Sequence, residues 1–418
     1  MSTRFDKNKF HLGAYILQPY ARTEQHIRDI AECGLDIIIC LDAVENLKPL
    51  TYDTHVLDLL AKYNIGCVFS GNLPAWWGGD GGNAGKLGET HPISKYEEAA
   101  RDFIDHPAIF GINLGDEPSA LDFPYYGKVV KFVSDHFPRQ FPYLNLYPNY
   151  ASVAKNSDAQ TVNQLGTATY AEHIDEYCKN VPTDYICYDF YVYSLHNTFK
   201  MYDNYRIVAD ACRKTGRAFW YVPQVNSNVE DKTMSENQLR FQAFTAMAFG
   251  AVNLYWACYT GGWWHHNVLD TDGNKTEQYE KLKKVNAEIR VIADEFMKYR
   301  NVSTHLVGFE NDETMKPYAD PLLPALSTGV FMDVHAENGE QLVIGQMVEK
   351  DGNGYALMIA AADDPYDEAN KDITVTLRAG DFDVRALDGK GGNPLETCED
   401  GSYRITLRSC EGVLVTAK

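Results

Sequence analysis

IFGINLGDEPS, residues 109–119, is an apolar run that stops abruptly on two adjacent carboxylates and a proline. Residues apolar on both faces suit a strand buried in a parallel sheet, and Pro118, which has no N–H, ends it and stiffens the turn behind Glu117. Seven similar runs surround it: 11–18, 36–42, 66–71, 141–148, 184–193, 218–225 and 251–259. Between them lie amphipathic segments such as TEQHIRDIAECG (23–34), YEEAARDFIDH (96–106), NYRIVADACRKTG (204–216) and SENQLRFQAFTAMAFG (235–250). Gly34, Gly216 and Gly250 sit where helix C-caps are expected.

Eight strand–helix units in about 250 residues fit a (β/α)8 barrel of the TIM type, an α/β fold. An open doubly wound sheet would carry a glycine-rich phosphate loop after its first strand, and here that position reads LQPYART (17–23). A closing helix is expected in 274–300, where Tyr279, Leu282, Val285, Ile289, Ile292 and Phe296 share one stripe. Beyond residue 303 the runs shorten and are bounded by Gly, Asp and Asn, the pattern of a small C-terminal β-sandwich. The expected domains are therefore 1–302, catalytic, and 303–418. No internal repeat or low-complexity linker appears.

The 418 residues carry a net charge of −20 with no basic block, so a phosphate backbone would be repelled and nucleic acid is an unfavourable partner. No apolar run is long enough to span a bilayer. The N-terminus MSTRFDKNKF lacks the apolar stretch of a signal peptide; as written the chain reads as cytoplasmic, and an exported form would require a leader already removed. Oligomeric state is left open. Of nine cysteines, Cys40, Cys67, Cys187 and Cys258 lie in strand-like runs, where they act as small hydrophobes. Cys398 and Cys410 flank a hairpin and could pair. No Cys/His spacing suits zinc, and no metal or cofactor is expected.

A barrel of this kind carries its site at the C-terminal ends of its strands. That rule collects Gln18, Asp42, Asn72, Asp116, Glu117, Asn145, Asn149, Asp189, Tyr191, Gln224, Asn226 and Trp256, and the loops add Trp76, Trp77, Trp263, Trp264, His265 and His266. Amides and carboxylates can satisfy sugar hydroxyls, and aromatic rings can stack on their C–H faces, so the partner expected is a carbohydrate. Asp116-Glu117 could protonate a glycosidic oxygen, although the same pair could merely cap the next turn. His265 fits a hydrogen bond to sugar better than a metal ligand, because neighbouring residues on a loop point apart.

GINLGDEPS (111–119), LYWACYTGGWW (254–264) and NKTEQYEKLKKVNAEI (274–289) resemble clan A glycoside hydrolases, especially β-galactosidase-like and agarase-like members. The resemblance covers roughly residues 10–300 and implies a TIM-barrel glycosidase in which Glu117 is the acid/base. Two departures stand out. The clan's usual Asn before that acid is Asp116 here, and strand seven reads WYVPQVNSN (220–228), with Gln224 where a nucleophilic Glu would stand. An amide cannot form a glycosyl ester. Asp189 is the favoured second carboxylate, with Asp42 and Asp116 as alternatives. The leading expectation is a hydrolase cleaving O-glycosidic bonds of an oligo- or polysaccharide. A catalytically silent glycan-binding barrel and, more weakly, a lyase or isomerase compete with it.

Overall fold

The computed structural model describes residues 3–40, 54–77, 84–151, 164–195, 197–227, 229–261, 264–319, 329–367 and 369–418. Asp42 and Trp263 lie outside them.

The chain divides into two compact units. The first comprises Met1–Lys7, His11–Lys232 and Asn253–Tyr279. It is built on a curled parallel sheet of β1 (His11–Tyr15), β2 (Ile37–Ile39), β3 (Gly66–Val68), the two-residue β4 (Trp76–Trp77), β5 (Ile109–Asp116), β6 (Phe141–Asn145), β7 (Tyr185–Asp189), β8 (Ala218–Val222) and β9 (Ala251–Trp256). Pairing runs β4–β5–β3–β2–β1–β9–β8–β7, with β6 beside β5. Just past β6, Leu146 bridges in parallel to Tyr188 of β7, its N–H donating to the Cys187 carbonyl at 2.9 Å. All eight expected strands are present; β5 fills its expected span, 109–116, and the other seven are shorter than their apolar runs.

Between the strands come α1 (Glu24–Glu32), α2 (Thr54–Lys62), α3 (Leu87–Thr90), α4 (Ile93–Ala100), α5 (Phe123–His136), α6 (Tyr170–Asn180), α7 (Val192–Leu195), α8 (Thr198–Thr215), α9 (Glu236–Ala248) and α10 (Glu277–Phe296). Side chains cap several of them: Thr23 accepts from the His26 N–H, and Thr169–Glu172 and Ser235–Gln238 form reciprocal capping boxes. Gly216 ends α8 at φ 73°, donating to the Cys212 carbonyl. The helix expected to run through His106 stops at Ala100, where the bonds tighten to i→i−3 through Phe103.

The second unit comprises Asn8–Phe10, Thr233–Val252 and Glu280–Lys418. One antiparallel sheet orders β10 (Tyr299–Val307), β12 (Leu342–Glu349), β13 (Tyr355–Ala361), β18 (Gly412–Ala417) and β15 (Val384–Asp388). The other orders β11 (Phe331–Ala336), β14 (Asp372–Ala379), β17 (Tyr403–Arg408) and β16 (Leu395–Thr397). Their inward residues form one apolar cluster, including Phe331, Ile344, Ile359, Val375, Ile405 and Val415. The stripe expected on α10 is fully buried from Tyr279 to Phe296.

α9 departs from its expected amphipathic character: every residue from Asn237 to Ala248 is buried. It lies against the five-stranded sheet so closely that a Cβ at Gly345 would come within 2.0 Å of the Ala248 carbonyl, and one at Gly412 within 2.5 Å of Phe244. Its one buried cation, Arg240, is held by both Glu288 oxygens at 2.7 Å and by Glu236 at 2.7 Å.

Cys398 and Cys410 are not paired; all nine cysteines are free thiols. Cys398 precedes the turn that leads into β17 and Cys410 follows the strand's far end, so six extended residues, roughly 20 Å, separate them.

Candidate active site

Site geometry begins with Gly115, where a Cβ would sit 2.1 Å from the Trp76 carbonyl oxygen and 2.5 Å from the Tyr126 hydroxyl. Only a glycine lets β4 lie alongside β5 there. The register then sets Asp116 between Trp77 on one side and Asn145 on the other. Glu117 follows at φ 46°, a left-handed backbone that costs a non-glycine residue about 1–2 kcal/mol. Its N–H donates to the Asn145 carbonyl at 2.9 Å. A glutamate is thus held at a strand end against its own backbone preference, an observation that points towards function.

Asn145 ties the cluster together. Its Nδ2 donates to Asp116 Oδ1 at 3.0 Å and to Asp189 Oδ1 at 2.6 Å. The two carboxylate oxygens can therefore be no farther apart than those bonds laid end to end. Asp189 is 3% exposed; Asp116 is half-buried as a residue, but its carboxyl is enclosed by protein. Burial raises both carboxyls above the usual range, and repulsion from Asp116 raises Asp189 further. The N–H bonds from Asn145 pull the other way, and so does the Tyr191 hydroxyl donating to Asp189. Each carboxyl thus has a higher affinity for a proton than an isolated one, and the two titrate as a pair.

Rings close in around them. Trp264 meets Tyr191 edge to face at 4.4 Å. Tyr150, raised first by burial, lies in the field of Asp189, Glu117 and Asp116 together. All of these residues belong to the first unit.

The other candidates divide. Trp76 is buried, edge-on to His91 at 5.2 Å, whereas Trp77 is 53% exposed. Trp256 is fully buried in β9. Asn149 spends its amide on α8, donating to the Lys200 carbonyl at 2.9 Å and to Asp203 at 3.4 Å. Asn72 is exposed and donates to the Ala99 carbonyl at 3.3 Å. Gln224 Nε2 donates to Ser194 Oγ at 3.1 Å and to the Asn226 carbonyl at 2.8 Å, and Asn226 accepts from the Cys258 N–H. Gln18 takes up the Thr260 hydroxyl through its N–H at 2.8 Å. His265 is exposed, its backbone bonded to Ser227, and His266 donates through Nε2 to the Glu230 carbonyl at 2.5 Å. Sequence reasoning passed over Tyr150, Cys187, Tyr143 and Tyr15, which read as ordinary strand or loop residues. Among the described residues no group of three His, Cys, Asp or Glu could hold a metal, and no helix is long and apolar enough to cross a membrane.

No family model matches the sequence, and no curated protein does. Several solved structures similar to this chain are glycoside hydrolases. A family 5 glycoside hydrolase from Bacteroides vulgatus aligns at 10% identity and a TM-score of 0.49, over 98% of this chain and 89% of that one. A putative alpha-L-fucosidase from Bacteroides thetaiotaomicron gives 12% and 0.47, over 68% of this chain and 97% of that one. The catalytic module of a family 98 glycoside hydrolase from Streptococcus pneumoniae gives 10% and 0.44, over the whole of both chains.

Proposed function

We propose that the curled sheet is a closed (β/α)8 barrel, that residues 303–418 form a β-sandwich domain, and that the protein hydrolyses O-glycosidic bonds of an oligo- or polysaccharide. The observation that carries this reading is the pair Asp116 and Asp189, at the ends of β5 and β7, sharing one amide from Asn145 on β6, with Glu117 next to Asp116 in the chain. Glu117 acts as general acid, giving its proton to the glycosidic oxygen as the C1–O bond breaks. Asp189 takes a proton from the water whose oxygen bonds to C1, and solvent restores both groups. A buried carboxylate with raised proton affinity suits a base working near neutral pH. Asp116, across the shared Asn145 amide, raises the proton affinity of Asp189. Trp77, exposed beside Asp116, and Trp264, packed on Tyr191, supply faces for a sugar.

Release of reducing ends from a panel of α- and β-linked oligosaccharides tests the assignment. Glu117→Gln should lower turnover by about 10²–10⁴-fold while glycan affinity is retained. Full activity in that variant ends the proposal. Gln224, standing where a nucleophilic glutamate would be, favours a second reading in which the site only binds glycan. That reading requires binding with no release of sugar, equal in the wild type and in Glu117→Gln.

A further inference from the structure

Inside the first unit the hydrogen bonds continue inward from the carboxylates. The Asn145 side-chain oxygen faces the Cys187 thiol at 3.5 Å. Cys187 Sγ lies 3.5 Å from the Tyr143 hydroxyl, which in turn meets the Tyr15 hydroxyl. Exposure is 0% for Cys187, 1% for Tyr143, 3% for Asn145 and 4% for Tyr15, so water does not compete for these bonds.

The direction of the chain follows from its outer end. Both hydrogens on Asn145 Nδ2 are spent on carboxylates, so its oxygen must accept. The thiol must then be the donor, its sulfur accepts from Tyr143, and the Tyr143 oxygen accepts from Tyr15. A rotated Asn145 amide would turn its oxygen on two carboxylates, which can be tolerated only if both carry protons. The amide's orientation and the protonation of the acids are thereby linked.

We infer that Cys187 is a positioning residue, whose thiol holds the Asn145 amide with both N–H bonds aimed at Asp116 and Asp189. This rests on reading those acids as part of the reacting site. The thiol is not a nucleophile here: burial raises it, so it keeps its proton and remains a donor. Titratable groups in the field of the pair are Glu117 after β5, Tyr15 on β1, Tyr126 on α5, Tyr150 after β6, Tyr170 on α6, Cys187 on β7, Tyr191 after β7, Tyr221 on β8 and Cys258 after β9. None of these is a cation, so hydrogen bonds offset the pair's charge: the amide on both acids, Tyr191 on Asp189, and backbone N–H groups at Glu117 and Asp189. Loosening the amide should raise the proton affinity of both acids further.

Two readouts test this on the full chain: the pH profile of glycan hydrolysis, and infrared titration of the protonated carboxyl band, assigned with Asp116→Asn and Asp189→Asn. Cys187→Ala should move the acidic limb and the band titration up by about half a unit to one unit. Cys187→Ser, which keeps a donor, should restore both to within about 0.2 unit. Tyr143→Phe, one link farther in, should shift them the same way by less, and it serves if Cys187→Ala does not fold. Folded variants whose band titrates as in the wild type overturn the inference, whatever the activity. A band that shifts in a protein cleaving no glycan sustains the inference and sinks the hydrolase reading.

Discussion

Both units bury apolar side chains, but the first also buries a file of polar ones. In the second, β14 and β17 alternate buried residues with partly or fully exposed ones, and the inward side chains are Val, Ile, Leu, Ala and Phe. In the first, β5 is buried on both faces and the sheet encloses a file of tyrosines, a thiol, an amide and carboxylates. An apolar interior contributes through the area it removes from water. A polar one returns little net free energy and penalises every bond left unmade. The contrast separates a region held by apolar area from one in which each hydrogen bond must be satisfied.

Three measurements press on that contrast. The largest effect belongs to the apolar cluster: Ile359→Ala, at a fully buried site on β13, should cost about 2–5 kcal/mol of unfolding free energy. That loss should be independent of pH, and a loss that varied with pH would break the comparison. Asp189→Asn should do the reverse. Because both carboxyls are raised, the folded state holds their protons more tightly than the unfolded chain does. Their contribution is favourable below the ordinary carboxylate range and is lost as pH rises through the raised values. Removing one charge should therefore stabilise the protein at pH 8 by on the order of 1–3 kcal/mol, with the gain gone by pH 4. Thermal unfolding at the two pH values reads this, and a variant less stable than wild type at pH 8 would show that the pair contributes stability instead of costing it. The smallest effect should come from Lys131→Ala, which removes an exposed 2.8 Å pair with Asp135 on α5; about 0.5 kcal/mol or less is expected, vanishing at high salt.

Much of the fold was legible because it is written in local periodicity. The β5 run, the α10 stripe and the cap at Gly216 depend on neighbours within a few residues. α9 was misread for the same reason: its polar residues suggested a wet face, and only the sheet pressed against it at Gly345 and Gly412 reveals that none exists. The site was legible as a set of strand ends but not as a set of contacts. Trp76 and Trp77 are adjacent and chemically alike, yet the pleat buries one and exposes the other.

The sequence alone determined that carboxylates, amides and rings would collect where strands end, since that follows from alternation and from Pro118 stopping β5. Tertiary structure decided which of them meet. The register of β5 against β6, and the bridge from Leu146 to Tyr188, bring Asn145 between two aspartates 73 positions apart in the chain. A shift of one residue in that register would turn the amide to the opposite face. Pairing between distant strands is a property of the assembled sheet, and no single stretch of the chain encodes it.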